Sequence, residues 1–223
     1  MKRLLSISLA LILGIAASAQ GRLWVDESIS LGYNRSYGMY DDDATMMGYD
    51  FKSGRSIRGG LKLQTGITSV EAGYKRPLSG NLGLESFATG QWNAAYNIQE
   101  YNFGFLGFWN WNNRVEVKAG AFFKLLAPKK GEGLEVEPFN FAYSFMFWAL
   151  NTEKRFNFGA SLSNLDMFTA ERFYCPLLTI KARYRINRNY LVYAQFRQHN
   201  SGTFDLTSNL FDRQFRIGTV ISW

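Results

Sequence analysis

The sequence predicts an all-β protein: a closed, antiparallel, up-and-down transmembrane β-barrel of about ten strands, with about eight as the alternative count. Three observations predict it. Apolar and polar residues alternate with a period of two in segment after segment, which is the strand signature rather than the helical 3.6. The connections between those segments alternate between short and long. The chain ends on "QFRIGTVISW", with Phe215, Ile217 and Ile221 on one face leading to a terminal Trp223.

The amino terminus supplies a compartment. "MKR" is a positive head, "LLSISLALILGIAA" an apolar run, and "ASA" before Gln20 a small-residue cleavage pattern. Residues 1–19 are therefore expected to be a cleaved signal peptide and residues 20–223 the barrel. That run is shorter than the roughly 20 residues of a spanning helix, and no second one follows, so crossing must be by strands. The single cysteine, Cys175, can form no internal disulfide, so sheet hydrogen bonds and packing must hold the exported domain. A resting thiol at a strand start is the plain reading of that residue.

The elements follow in order. "RLWVDESISLGY" sets Leu23, Val25, Ile29, Leu31 and Tyr33 on one face. Residues 34–60 read as a long outside loop, and "LKLQTGITSVEAGYKRP" as one strand whose parity switch near Gly66 and Ile67 marks a bulge. "NLGLESFATGQW", "EYNFGFLGFW" and "RVEVKAGAFFKLL" alternate cleanly. "NFAYSFMFWAL" is apolar on both faces and gives no facing. "RFNFGASLSNL", "LLTIKARYRI", "YLVYAQF" and the terminal segment complete the set. Short turns fall at "LSGN", "WNWNN", "NTEK" and "NRN", and long stretches near 127–139, 166–175 and 199–212. Short periplasmic turns against longer outer loops are the habit of bacterial outer-membrane barrels, and the aromatic share of 17% finds a home on a lipid-facing wall.

Charge argues against a nucleic-acid partner. The 25 basic and 18 acidic residues give +7, and loss of Lys2 and Arg3 with the signal lowers that by two. Lys181, Arg183, Arg185, Arg197 and Arg216 all alternate with apolar positions. They are expected to point into the lumen with Lys118, facing Glu71, Glu85, Glu116 and Asp26. Opposite charges in a narrow interior should pair, because unpaired burial costs several kcal/mol per ion. The first expectation is a polar network that plugs the lumen of a structural or binding protein, with no enzymatic role and no cofactor. The alternative is a small anion-preferring pore along the basic ladder.

Two loops carry clustered charge of the kind that could meet a ligand. Asp41, Asp42 and Asp43 could offer oxygen ligands to Ca²⁺, but three consecutive carboxylates lack the alternating spacing of a calcium loop, so no metal is expected. "APKKGEGLEVEP" mixes Lys129 and Lys130 with Glu132, Glu135 and Glu137 and reads as an ordinary outer loop. The extracellular ligand stays unassigned.

The terminal segment resembles the assembly signal of Gram-negative outer-membrane proteins, carried here by Phe215, Ile217, Gly218, Ile221 and Trp223. That resemblance implies the barrel-assembly machinery as a partner, and outer-membrane lipid and lipopolysaccharide as surroundings. A mature start at Gln20 is similar to exported proteins of the Bacteroidetes. "FRQHNSGTF" holds the chain's single histidine, His199, with Ser201 two residues on. This pair resembles the lipid A deacylase barrels, which implies His199 as base, Ser201 as nucleophile and Asp212 or Asp205 as the orienting acid. Parity places His199 beside Gln195 and Arg197, on the luminal side, whereas a lipid esterase needs a site reachable from the bilayer. The plainer reading is a polar pair at the start of an outer loop.

Overall fold

A computed structural model describes residues 21–35, 38–64, 66–94, 98–127, 133–151, 153–165, 176–200 and 210–223. Among them the chain forms twelve strands: β1 (Gly21–Asn34), β2 (Gly38–Phe51), β3 (Arg55–Lys62), β4 (Ile67–Ser79), β5 (Leu82–Asn93), β6 (Ile98–Trp111), β7 (Val115–Ala127), β8 (Glu135–Trp148), β9 (Phe156–Ser163), β10 (Leu177–Arg185), β11 (Tyr190–Asn200) and β12 (Leu210–Ser222). Each pairs antiparallel with its sequence neighbours, and β1 pairs with β12, closing the barrel with Trp24 opposite Ser222 and Asn34 opposite Asp212. Closure satisfies both edges, as a lipid environment requires.

The expected count of about ten is corrected to twelve, and two particular segments account for the difference. Residues 34–60, read as one long loop, hold β2, which pairs along its whole length with β1, and the first six residues of β3. The parity switch at Gly66 is not a bulge but a hairpin: β3 and β4 pair from Lys62↔Ile67 to Arg55↔Tyr74. Missing one strand and fusing two others removed two from the count and left the short turns on one end. Register shifts fall instead between Pro77 and Ser79, between Phe122 and Lys124, and between His199 and Asn200.

The barrel is inside-out relative to a soluble domain. Phe105, Phe139 and Ile29 are 76%, 72% and 64% exposed, while Gln214, Arg216 and Ser222 are buried. On β8, whose facing the sequence could not give, Phe141, Phe145 and Phe147 point out, and Asn140, Ala142 and Ser144 alternate with them. The turn between β6 and β7 shows why the short end is tight. Asn112 and Asn113 both take positive φ (51° and 54°), and the Arg114 amide donates to the Trp111 carbonyl at 3.0 Å, the two-residue geometry that matches strand twist.

Candidate luminal site

Luminal side chains divide into two walls of different character. On the first, formed by β3 to β7, acids and bases meet. Arg58 reaches Glu71 at 3.5 Å, Lys75 reaches Glu116 at 2.5 Å, and Lys118 bridges Glu85 at 2.7 Å and Glu116 at 3.4 Å. Deeper toward the outer end, Lys124 and Glu100 lie 3.5 Å apart and almost wholly buried. Lys75 also sits 4.3 Å over the Phe108 ring, so the charges roof an apolar floor of Leu106 and Phe108.

The second wall, β10 to β12 with β1, carries the basic ladder. The Lys181 ammonium lies 3.9 Å over the Tyr193 ring, and the Tyr193 hydroxyl donates to Asp26 at 2.7 Å. Arg183 stacks 4.1 Å over Trp148. Arg216 donates to the Gln214 amide oxygen at 3.1 Å, Gln214 donates to Ser30 Oγ at 2.8 Å, and Ser30 donates to the Asp42 carbonyl at 2.9 Å. Arg197 is buried on the same wall, and Arg185 stands at its short-turn end. The expected pairing of this ladder with Glu71, Glu85 and Glu116 is corrected: those three glutamates are held by Arg58, Lys118 and Lys75 on the opposite wall.

Two cavities lie along the second wall. One of about 290 Å³ is lined by Asp26, Lys181, Arg197 and Arg216 together with Met46, Met146 and Trp148. The other, about 270 Å³, is lined by Arg22, Lys181, Arg183, Arg185 and Arg188. Trp148 and Lys181 belong to both. A third space of about 660 Å³ at the short-turn mouth is bounded by Lys75, Phe108, Asn110 and the turns.

Luminal aromatics keep this space from filling because they lie flat on glycines. A Cβ at Gly48 would come 2.5 Å from the Trp24 ring, one at Gly159 within 2.8 Å of Trp148, and one at Gly218 within 2.6 Å of Tyr193. Tyr40 covers Gly32 in the same way. Glycine in a strand often marks such a close approach. This arrangement was not read from the sequence, since which ring meets which glycine depends on register; with the register known, each pair falls on adjacent strands.

The remaining candidates fall as follows. His199 faces inward, its Nδ1 3.6 Å from Asp212 Oδ2, and the Tyr40 hydroxyl donates to the same carboxylate at 2.9 Å. Ser201, Asp205 and Cys175 lie outside the described residues. Asp42 points inward and is buried, while Asp41 and Asp43 take the other face of β2. Consecutive strand residues cannot converge on one ion, and among the described residues no group of three acids, histidines or cysteines does so. On β12, Phe215, Ile217 and Trp223 are exposed outward, whereas Gly218 faces the lumen beneath Tyr193.

No protein-family model and no curated protein matches the sequence. Solved structures do match in shape. The KdgM porin in complex with disordered oligogalacturonate has a TM-score of 0.61 at 14% identity, covering 90% of this chain and 99% of that one. The NanC porin gives 0.59 at 11%, covering 87% and 98%. An outer membrane channel from Pseudomonas putida F1 gives 0.57 at 6%, covering 92% and 96%. At such identities the likeness is one of fold, and the fold is that of the outer-membrane β-barrels.

Proposed function

We propose that this protein is an integral outer-membrane barrel whose lumen takes up small anionic solutes along its basic wall. One observation carries the reading. Among the described residues, the two adjoining cavities are lined by Arg22, Lys181, Arg183, Arg185, Arg188, Arg197 and Arg216, with Asp26 as the sole acid. Walls of one sign and low dielectric concentrate the opposite ion. A twelve-strand barrel is also wider than the small barrels whose side chains fill the bore. The likeness in fold to porins, one of them bound to the polyanion oligogalacturonate, supports the solute class.

Export and assembly complete the proposal: cleavage after Ala19, insertion through the terminal strand by the assembly machinery, and lipid and lipopolysaccharide around the wall. The mature chain is expected to begin at Gln20, and intact mass of the membrane-extracted protein reads that directly. The second reading is a structural or binding barrel with a closed lumen, favoured by the first wall, where ion pairs and Leu106 pack as a solid layer.

Planar bilayers separate the two. Under a salt gradient the anion reading expects steps of conductance with a reversal potential on the anion side, and a shift toward cations in Arg183→Glu and Arg216→Glu. Steady absence of conductance from folded protein favours the closed barrel.

A further inference from the structure

The lumen does not use every arginine, and two of the remainder lie together on the outside. We propose that Arg55 and Arg76 form an exterior binding site for the headgroup of an anionic glycerophospholipid, in the leaflet at the short-turn end. The site rests on the barrel lying in a bilayer, and is independent of whether the lumen conducts.

Outward facing follows from the alternation. Ile57 on β3 and Tyr74 on β4 are 42% and 39% exposed, and Arg55 and Arg76 are two residues away on the same faces and exposed. Register brings them together, since Arg55 stands opposite Tyr74, so Arg76 is its diagonal neighbour. Diagonal positions across a strand pair are roughly 7–8 Å apart, a span that lets two guanidinium forks close on one phosphodiester. Among the described residues neither guanidinium makes an ion pair or hydrogen bond, whereas Arg58, facing inward on the same strand, holds Glu71. The carboxylates of β4 and β5, Glu71 and Glu85, point into the lumen, so neither lies beside the pair outside.

The surroundings identify the ligand as a lipid. Leu78 and Leu84 flank the pair and are 58% and 53% exposed, offering apolar wall for acyl chains beneath a headgroup. Elsewhere the short-turn rim is aromatic, with Trp111, Phe156, Tyr184, Tyr190 and Trp223 facing out, the usual interfacial girdle. At β3 and β4 two fixed cations with a tyrosine between them interrupt it. A soluble anion would gain nothing from this apolar frame.

Native mass spectrometry of the full mature barrel, folded in detergent with equimolar phosphatidylglycerol and phosphatidylcholine, tests the site. Retention should favour phosphatidylglycerol by roughly five-fold, about the effect of one basic residue at a charged surface. The Arg55→Gln/Arg76→Gln double variant should lose that preference, each single variant part of it, and Lys154→Gln in the β8–β9 turn none. Heat-modifiable gel mobility establishes that each variant is folded. Equal retention of the two lipids, or a preference surviving in the folded double variant, overturns the proposal. Loss of bound phosphatidylglycerol on adding excess inorganic phosphate overturns it too, by assigning the site to a soluble anion. Failure of the parent barrel to enter liposomes at all would instead bring down the membrane placement on which both this site and the luminal reading stand.

Discussion

The two walls of the lumen are built from the same strand geometry and nearly the same residue types, yet along the bore one closes its charges into ion pairs and the other leaves cavities in front of them. The space beside the first wall lies at the short-turn mouth. On β3 to β7 the luminal Arg58, Lys75, Lys118 and Lys124 each meet a carboxylate, and the Lys75 pair closes over Phe108. On β10 Lys181 and Arg183 lie over Tyr193 and Trp148, and those rings lie over Gly218 and Gly159, with cavities in front of them. What differs is the partner. The carboxylate pairs run along one wall, Lys75 on β4 meeting Glu116 on β7 and Lys118 meeting Glu85 on β5, whereas an aromatic partner holds Lys181 and Arg183 flat over a ring. The first solution stabilises the barrel, and the second presents charge to whatever enters.

The largest effect is expected at a backbone-limited glycine of the first wall. A Cβ at Gly120 would collide with the Phe105 carbonyl oxygen, a backbone atom that cannot turn aside. Gly120→Ala should abolish folding in vesicles or lower the urea midpoint more than Gly218→Ala does. At Gly218 in the open wall the obstacle is chiefly the Tyr193 ring, with the Glu27 carbonyl at 2.8 Å, and the ring can swing into the cavity. Gly218→Ala should cost about 1–3 kcal/mol, the ordinary range for overpacking, and should narrow the conductance. Equal losses at the two glycines would mean that the walls are packed alike.

Next comes the buried pair. Lys124 and Glu100 have side chains only 4% and 7% exposed, so removing one partner strands a charge where water does not reach. Lys124→Met should destabilise by roughly 3 kcal/mol, near the low end for a broken buried pair, since Asn102 still donates to Glu100 at 2.8 Å. Urea titration in lipid vesicles reads this. Lys181→Met should cost less, because its ring contact is with Tyr193 and the cavity in front admits solvent.

The contrast between the walls also separates what the sequence could reveal from what it could not. Facing is a local property: alternation at Lys181, Arg183 and Arg185 follows from the strand period, and the terminal strand declares its lipid side through Phe215, Ile217 and Trp223. Partnership across a bore is not local. Whether Glu85 meets Lys118 or Arg183 depends on barrel width, and the missed strands made the imagined barrel narrower than it is. β2 was hidden because Asp41, Asp42 and Asp43 break the expected alternation. In the fold Asp42 alone turns inward, and its carboxylate accepts from the Gln64 amide at 3.1 Å, while its neighbours stand on the opposite face of the strand. The β3–β4 hairpin was hidden because a parity switch at Gly66 reads equally as a bulge or a turn.

The smallest effect is expected at the outer mouth of the second wall, at His199. Its imidazole lies 3.6 Å from Asp212, too long for a good hydrogen bond, and Asp212 already accepts from Tyr40 at 2.9 and 3.1 Å. An ion pair of that length contributes about 1 kcal/mol or less. Removing Asp212 is different, because it takes away the carboxylate to which the Tyr40 hydroxyl donates, at a cost of about 1–3 kcal/mol. His199→Ala should therefore leave the urea midpoint almost unchanged, with Asp212→Ala lowering it measurably. Both should leave the acylation of lipid A in expressing cells as the parent does, because the imidazole faces the lumen, away from any acyl ester in the bilayer. Mass spectrometry of extracted lipid A checks this. If the parent removes an acyl chain and His199→Ala does not, the outer mouth is a catalytic site and the histidine must reach the bilayer.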